Sequence, residues 1–310
     1  MTRPNPSNRP CARREPGDER SREEPRRYAA PPRAGGAPVS EQAIERRPLV
    51  GPRLAADSWT MAWRLLKATP RQPELLMFST IQTIMFVLLF RYVFGGAIET
   101  GGIPYVQFLM PGIFVQTLAF NGAVTGIGMA DDMAKGIVDR FRSMPISPVA
   151  MFVGRAISDL VRATFMLIMM IVVGVLTGFR FHSSVGHVAA GIVLILLFSF
   201  AFSWIGIFIG LSVKSVEAAQ SGGFIWLFPL TFASAAFVPV ERMPGWLQAF
   251  AKYNPITLIV NALRGWFDDG VRQTLHIHVA ANAFQSLLWI AGVLAVFVPL
   301  CVMRFRRLSG

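Results

Sequence analysis

Reactive and titratable side chains are scarce in this 310-residue chain, which has two cysteines, four histidines and 18 acidic residues against 30 Lys and Arg. All four histidines lie outside the long apolar stretches or at their edges. An intramembrane hydrolase needs a nucleophile with an in-membrane histidine, or an H-E-x-x-H pair, and the sequence provides neither. His276 and His278 alternate as "HIH" with no further ligand at metal spacing, the pattern of surface histidines. No G-x-x-x-x-G-K-[ST] phosphate loop is present, since "GLSVKS" from Gly210 lacks the second glycine and the lysine spacing. No apolar stretch carries an acid near its middle, which argues against a proton relay or ion-coupling site. Without an internal repeat, a secondary transporter built of paired halves also loses ground. The first fifty residues hold no apolar run of signal-peptide length.

What the chain has in quantity is apolarity, at 53% hydrophobic residues, together with a formal net charge of +12. The two properties are separated along the sequence. Twelve arginines and 10 of the 21 prolines fall at or before Arg53. Such a segment cannot bury enough apolar surface to offset its ordering entropy, so residues 1–55 are expected to be a disordered cytoplasmic tail, with 56–310 forming the membrane domain. The excess charge has no interleaved aromatic recognition motif, and nucleic-acid binding is not expected.

Six later stretches approach or exceed the roughly 20 apolar residues that cross a bilayer. They cover about 74–96, 105–130, 158–179, 186–212, 218–240 and 281–303. Backbone amides in lipid must be satisfied within their own segment, which predicts an all-α polytopic bundle of six transmembrane helices. The apolar run Ile256 to Leu263 is too short to span and is expected to be re-entrant or interfacial. With both termini in the cytoplasm, 12 basic residues near span ends fall inside and five outside; Arg264 is counted among the outer five. Cys11 and Cys301 then face a reducing compartment and no disulfide is expected.

Three segments between and before the spans have patterned chemistry. In "DSWTMAWRLLKATPRQP", Ser58 or Asp57 can cap a helix whose Trp59, Trp63 and Leu66 share one face, predicting an interfacial amphipathic helix. "GMADDMAKGIVDRFRSMP" continues the second span as a helix until Pro145. Ser147 and Pro148 then restart a helix whose Arg155, Asp159 and Arg162 line one face. Helix, break and capped helix make an elbow, although the orientation rule alone would also account for its arginines. In the outer segment, Pro239 and Glu241 precede "MPGWLQAFAKYNP", where Pro244 can start a short helix and Asn254-Pro255 can end it. Trp246, Leu247, Phe250 and the Ile256 run are expected at the lipid surface.

Polar residues inside the spans are few and neutral: Gln82, Gln116, Asn121, Thr125, Gln220, Thr231 and Ser234. They are the candidates for a translocation path, and singly each also suits interhelical hydrogen bonding. Ser199, Ser203, Gly206 and Gly210 form a small-residue ridge that permits close helix approach within one subunit or between two.

"MADDMAKGIVDRFRSMPISPVAMFVGRAISDLV" and "FPLTFASAAFVPVERMPGWLQAFAKYNPITLIVNALRGW" together resemble ABC type-2 exporter permeases, in particular the daunorubicin-resistance type of membrane subunit. The resemblance covers nearly everything after Asp57. It implies that residues from about Met133 to Met144 form a coupling helix docked on a separate ATPase subunit, with Lys135, Asp139, Arg140, Phe141 and Arg142 as contacts. It further implies a homodimer or a closely similar permease partner, and ATP and Mg held by the ATPase subunit with no cofactor on this chain. The implied setting is a bacterial plasma membrane and the implied cargo a hydrophobic or amphipathic small molecule. Export of a lipid or glycan precursor is the alternative within the same family, and a non-transporting six-span protein the alternative outside it.

Overall fold

The computed structural model describes residues 58–60, 62, 63, 67, 81, 84–94, 102–136 and 148–308. Every regular element among the described residues is helical, with one isolated β-bridge between His182 and Asp268. The elements are α1 (Ile84–Val93), α2 (Tyr105–Ala134), α3 (Pro148–Leu176), α4 (Val185–Ser212), α5 (Val216–Phe232), α6 (Gly245–Tyr253), α7 (Pro255–Phe267), α8 (Asp269–Thr274) and α9 (Val279–Leu308). A π-helical turn over Phe90–Phe94 ends α1, and a 3-10 turn over Val240–Arg242 precedes α6. Among the described residues, four helices, α2, α3, α4 and α9, are long and apolar enough to cross a membrane. Residues 58–60, 62, 63 and 67 are helical, with Trp59 and Trp63 both exposed. Gln82, Asp139, Arg140, Phe141, Arg142, Pro145 and Ser147 lie outside the described residues, as does the tail.

The core is organised by α2 against α4, which run side by side with almost no side chain between them. Gly122 and Gly126 of α2 face Phe202, Gly206 and Gly210 of α4 so closely that a Cβ on any of these glycines would collide with the opposing backbone. The small-residue ridge of α4 is thus used within one subunit. Ser203 stays out of the way by returning its hydroxyl to Ser199 O at 3.1 Å. Around this seam, Phe114, Phe179, Phe181 and Phe267 pack edge to face, joining α2, α7 and the α3–α4 loop. Lipid is as apolar as these side chains, so what holds the seam in a membrane is van der Waals contact and the close backbone approach that the glycines permit.

Several boundaries differ from the sequence expectation, each for a local reason. α2 stops at Ala134 and does not continue to Pro145, because Gly136 takes φ +65° and its N–H returns to Met133 O at 3.1 Å, the left-handed ending that glycine permits. α3 opens at Pro148, where the sequence expectation put its start, and runs on through the third span. α5 ends at Phe232, eight residues short of Val240, and is 17 residues long. The Ile256 run does not lie at the lipid surface: Ile256, Ile259 and Val260 are fully buried in the main core, while Trp246 and Phe250 of α6 are exposed as expected.

Candidate functional site

α5 ends early because Asn254, at the start of α7, captures the carbonyls of Leu230 and Ala233, while Thr257 and Arg264 of α7 hold the backbone just beyond the helix. A helix leaves its last four C=O groups unpaired, and a buried end must find donors elsewhere. Asn254, 2% exposed, gives its amide to Leu230 O at 2.6 Å and Ala233 O at 3.0 Å, while its Oδ1 caps α7 by accepting from Ile256 N at 2.9 Å. Thr257 Oγ1 accepts from Ala235 N at 2.9 Å. Arg264 completes the set, with Nε to Phe108 O at 2.9 Å and Nη2 to Ala235 O at 2.7 Å and Ala236 O at 3.2 Å. Its guanidinium lies 3.5 Å from the Phe108 ring centroid. An arginine expected in an outer loop is instead fully buried, and it ties α2, α7 and the unwound 233–239 stretch together. Its sequence neighbours could have hinted at this: Arg264 stands seven residues after Thr257 on the apolar face of a short helix.

The same end of the bundle is sealed by the α3–α4 loop. His182 N donates to Phe267 O at 2.9 Å, and its Nδ1 is 2.9 Å from Asp268 Oδ2. Asp268 Oδ1 caps α8 through Gly270 N and Val271 N at 2.8 and 3.1 Å. Pro244 precedes α6 and Pro255 opens α7 at its first position. Pro239 and Glu241 flank the start of the 3-10 turn, with Glu241 O accepting from Gln248 Nε2 at 3.3 Å.

The polar residues of the spans divide into two groups. Gln116, Asn121, Thr125, Thr231 and Ser234 are buried in the protein interior. Thr125 Oγ1 donates to Asn121 O at 3.1 Å, and Ser234 Oγ to Thr231 O at 2.5 Å. Gln220 is exposed at the start of a different feature. It heads a row at spacing of four, Gln220, Phe224, Phe228 and Phe232, on one face of α5.

Those phenylalanines belong to a ladder of seven rings. Phe120 meets Phe224 at 5.6 Å and Phe228 at 5.2 Å between centroids; Phe224–Phe228, Phe228–Phe232 and Phe232–Phe237 follow at 5.9, 6.0 and 5.4 Å. Phe237–Phe90 and Phe90–Phe86 continue it onto α1 at 4.6 and 5.3 Å. Phe228 and Phe232 are each 49% exposed, so the ladder shows ring faces or edges along one side of the molecule. Sequence reasoning missed it because four of the seven rings come from α1, α2 and the 233–239 stretch.

At the other end, Lys135 pairs with Asp131 at 2.6 Å beside the start of the 137–147 segment. That hydrogen bond and the carboxylate charge hold the ammonium above its ordinary pKa range. Arg155 of α3 pairs with Asp132 of α2. Arg162 bonds Asn121 Oδ1 at 3.1 Å and Asp159 Oδ1 at 2.9 Å, so α2 and α3 are joined by two polar bridges, Arg155–Asp132 and Arg162–Asn121.

Residues 57–267 match the family model described as "ABC-2 type transporter". The chain belongs to that family. A daunorubicin resistance ABC transporter permease protein, DrrB1 of Streptomyces coeruleorubidus, is 32% identical over 255 residues, 80% of this chain and 85% of that protein. A probable doxorubicin resistance ABC transporter permease protein, DrrC of Mycobacterium tuberculosis, is 23% identical over 244 residues, 74% and 83% of the two chains. A putative transport permease of Porphyra purpurea, ycf38, is 24% identical over 260 residues, 78% and 87%. This is therefore a multi-pass membrane chain of the ABC-2 family.

Proposed function

We propose that this chain is the membrane-spanning subunit of an ATP-driven exporter in a bacterial plasma membrane, moving a hydrophobic or amphipathic drug-like molecule with ATP hydrolysed by a separate subunit. Family membership and the drug-resistance permeases among its relatives support the class. The ring ladder is the observation that carries the cargo. A planar aromatic molecule can exchange stacking partners along Phe224, Phe228 and Phe232, with each contact worth about 0.5–1.5 kcal/mol beyond area burial. The exposed amide of Gln220 at the start of the row offers a polar handle.

In this proposal six spans, both termini inside, and two copies or one copy with a similar partner build the pathway. The 133–144 segment receives the ATPase subunit, with Phe141 filling a pocket and Arg140 and Arg142 making forked bonds to carboxylates at its rim. ATP and Mg stay on that subunit. Inverting a strongly inward population takes about 5.5 kcal/mol of differential binding, within reach of nucleotide-driven closure of an ATPase pair. Replacing Arg140 and Arg142 together by Glu is expected to reduce export at least tenfold while the chain still accumulates in the membrane. Export at the parental rate would remove the coupling assignment.

A further inference from the structure

The bridges between α2 and α3 are half satisfied, and their unsatisfied atoms match. Arg155 uses Nη1 on Asp132, while its Nε is buried with no acceptor among the described residues. Asp159 uses Oδ1 on Arg162, while its Oδ2 is buried with no donor. Arg155 and Asp159 are both on α3 at i and i+4, the spacing at which a guanidinium and a carboxylate meet on one helix face. A buried charged network left partly satisfied is costly, and here the deficit can be cancelled by one change of partner. Arg155 can release Asp132 and fold back onto Asp159, while Arg162 keeps Asn121 Oδ1. Asp132 loses little on release, because its side chain is already 27% exposed and can be hydrated. Asp159 is 7% exposed and cannot. Gly128 of α2 leaves the room in which the guanidinium sits, since a Cβ there would collide with Arg155 Nη2.

We infer that Arg155 is a two-position switch, paired with Asp132 in the arrangement described and with Asp159 in a second one, and that nucleotide binding by the ATPase subunit selects between them. In sequence α2 and α3 flank residues 137–147, and the Arg155–Asp132 bridge joins the two helices near that end. With the bridge closed, the two helices move as one lever; with it open, α2 can separate from α3 at this end. The inference rests on the reading of the segment as the place where an ATPase subunit acts. Arg155 is a positioning residue, and it touches neither cargo nor nucleotide.

The test places spin labels at Lys135→Cys and Met151→Cys, in a Cys11→Ser, Cys301→Ala background, in the complex with the ATPase subunit in lipid nanodiscs. Electron–electron distance distributions are then compared without nucleotide and with trapped ATP. Two populations are expected, with ATP moving weight to the longer one. Asp132→Asn should populate the longer distance without ATP, and Asp159→Asn should reduce the ATP-induced longer population at least fivefold. Asp132→Asn changes a partly exposed site, so it remains informative if Asp159→Asn fails to fold. Parental distributions in either folded variant would overturn the switch, as would a single nucleotide-independent distance in the parent with the ATPase subunit bound. Failure of any ATPase subunit to co-purify would instead overturn the export reading on which the switch rests.

Discussion

Arg264→Met is expected to lower the unfolding free energy by about 3–5 kcal/mol, because three buried carbonyls lose their donors at once. Methionine fills much of the volume and removes the cost of burying a charge, which could in principle be stabilising. That gain would need the partners to be removed too, and Phe108 O, Ala235 O and Ala236 O remain behind in the core. Ala235 and Ala236 have left their helix and have no helical N–H to fall back on, whereas Phe108 O, inside α2, loses the guanidinium alone. Arg264→Lys keeps the charge but replaces a planar fork by a point donor, which cannot reach Phe108 O and Ala235 O together, and about 2 kcal/mol is expected. Thermal unfolding in detergent should show a fall in Tm of about 10 °C for the methionine variant and about half that for lysine. Equal Tm values for parent and both variants would mean that these carbonyls are satisfied some other way.

The second large effect is expected at the α2–α4 seam. A Cβ at Gly206 would run into the carbonyl of Gly122 and the backbone N of Gly126, so even alanine forces the two helices apart. Valine adds two further methyl groups that have no space on either side. Overpacking usually costs about 1–3 kcal/mol, and here it opens the most extensive helix pairing among the described residues, so Gly206→Val is expected at or above the top of that range. The amount of monodisperse protein recovered in size-exclusion chromatography should fall severalfold. Gly186→Ala is the control: nothing lies within 4 Å of its Cβ, and it should change recovery little.

These two residues show where a sequence is and is not informative. The four long apolar helices were visible because lipid demands length and apolarity of each segment separately, and the starts of α6 and α7 were visible because Pro244 and Asn254-Pro255 are local signals. The small-residue ridge on α4 was also visible, but its partner was not: Gly122 and Gly126 are unremarkable until α2 is laid beside α4. The end of α5 was hidden for the same reason. Hydropathy from Ala233 to Val240 favours continuation, and what stops the helix is a set of partners about twenty to thirty residues away: donors on Asn254 and Arg264, and the Thr257 hydroxyl that accepts from Ala235 N. Arg264 was misplaced because a charge normally marks a segment as outside the core, and only the convergence of three carbonyls on one guanidinium reverses that. At the elbow end, the Arg155, Asp159 and Arg162 face was readable from spacing, whereas the bridges to Asp132 and Asn121 came from tertiary structure. The ladder was partly readable: Phe224, Phe228 and Phe232 recur every four residues, and the other rings are brought in by packing.

The central claim, that this chain carries cargo with another protein's ATP, is tested most directly in inverted membrane vesicles holding this chain, its ATPase subunit, or both, supplied with doxorubicin as a fluorescent planar probe. The account predicts ATP-dependent accumulation only when both chains are present, reduced severalfold by Phe228→Ala with Phe232→Ala. Accumulation by this chain without the ATPase subunit, or none with both chains and hydrolysing ATP, would contradict it.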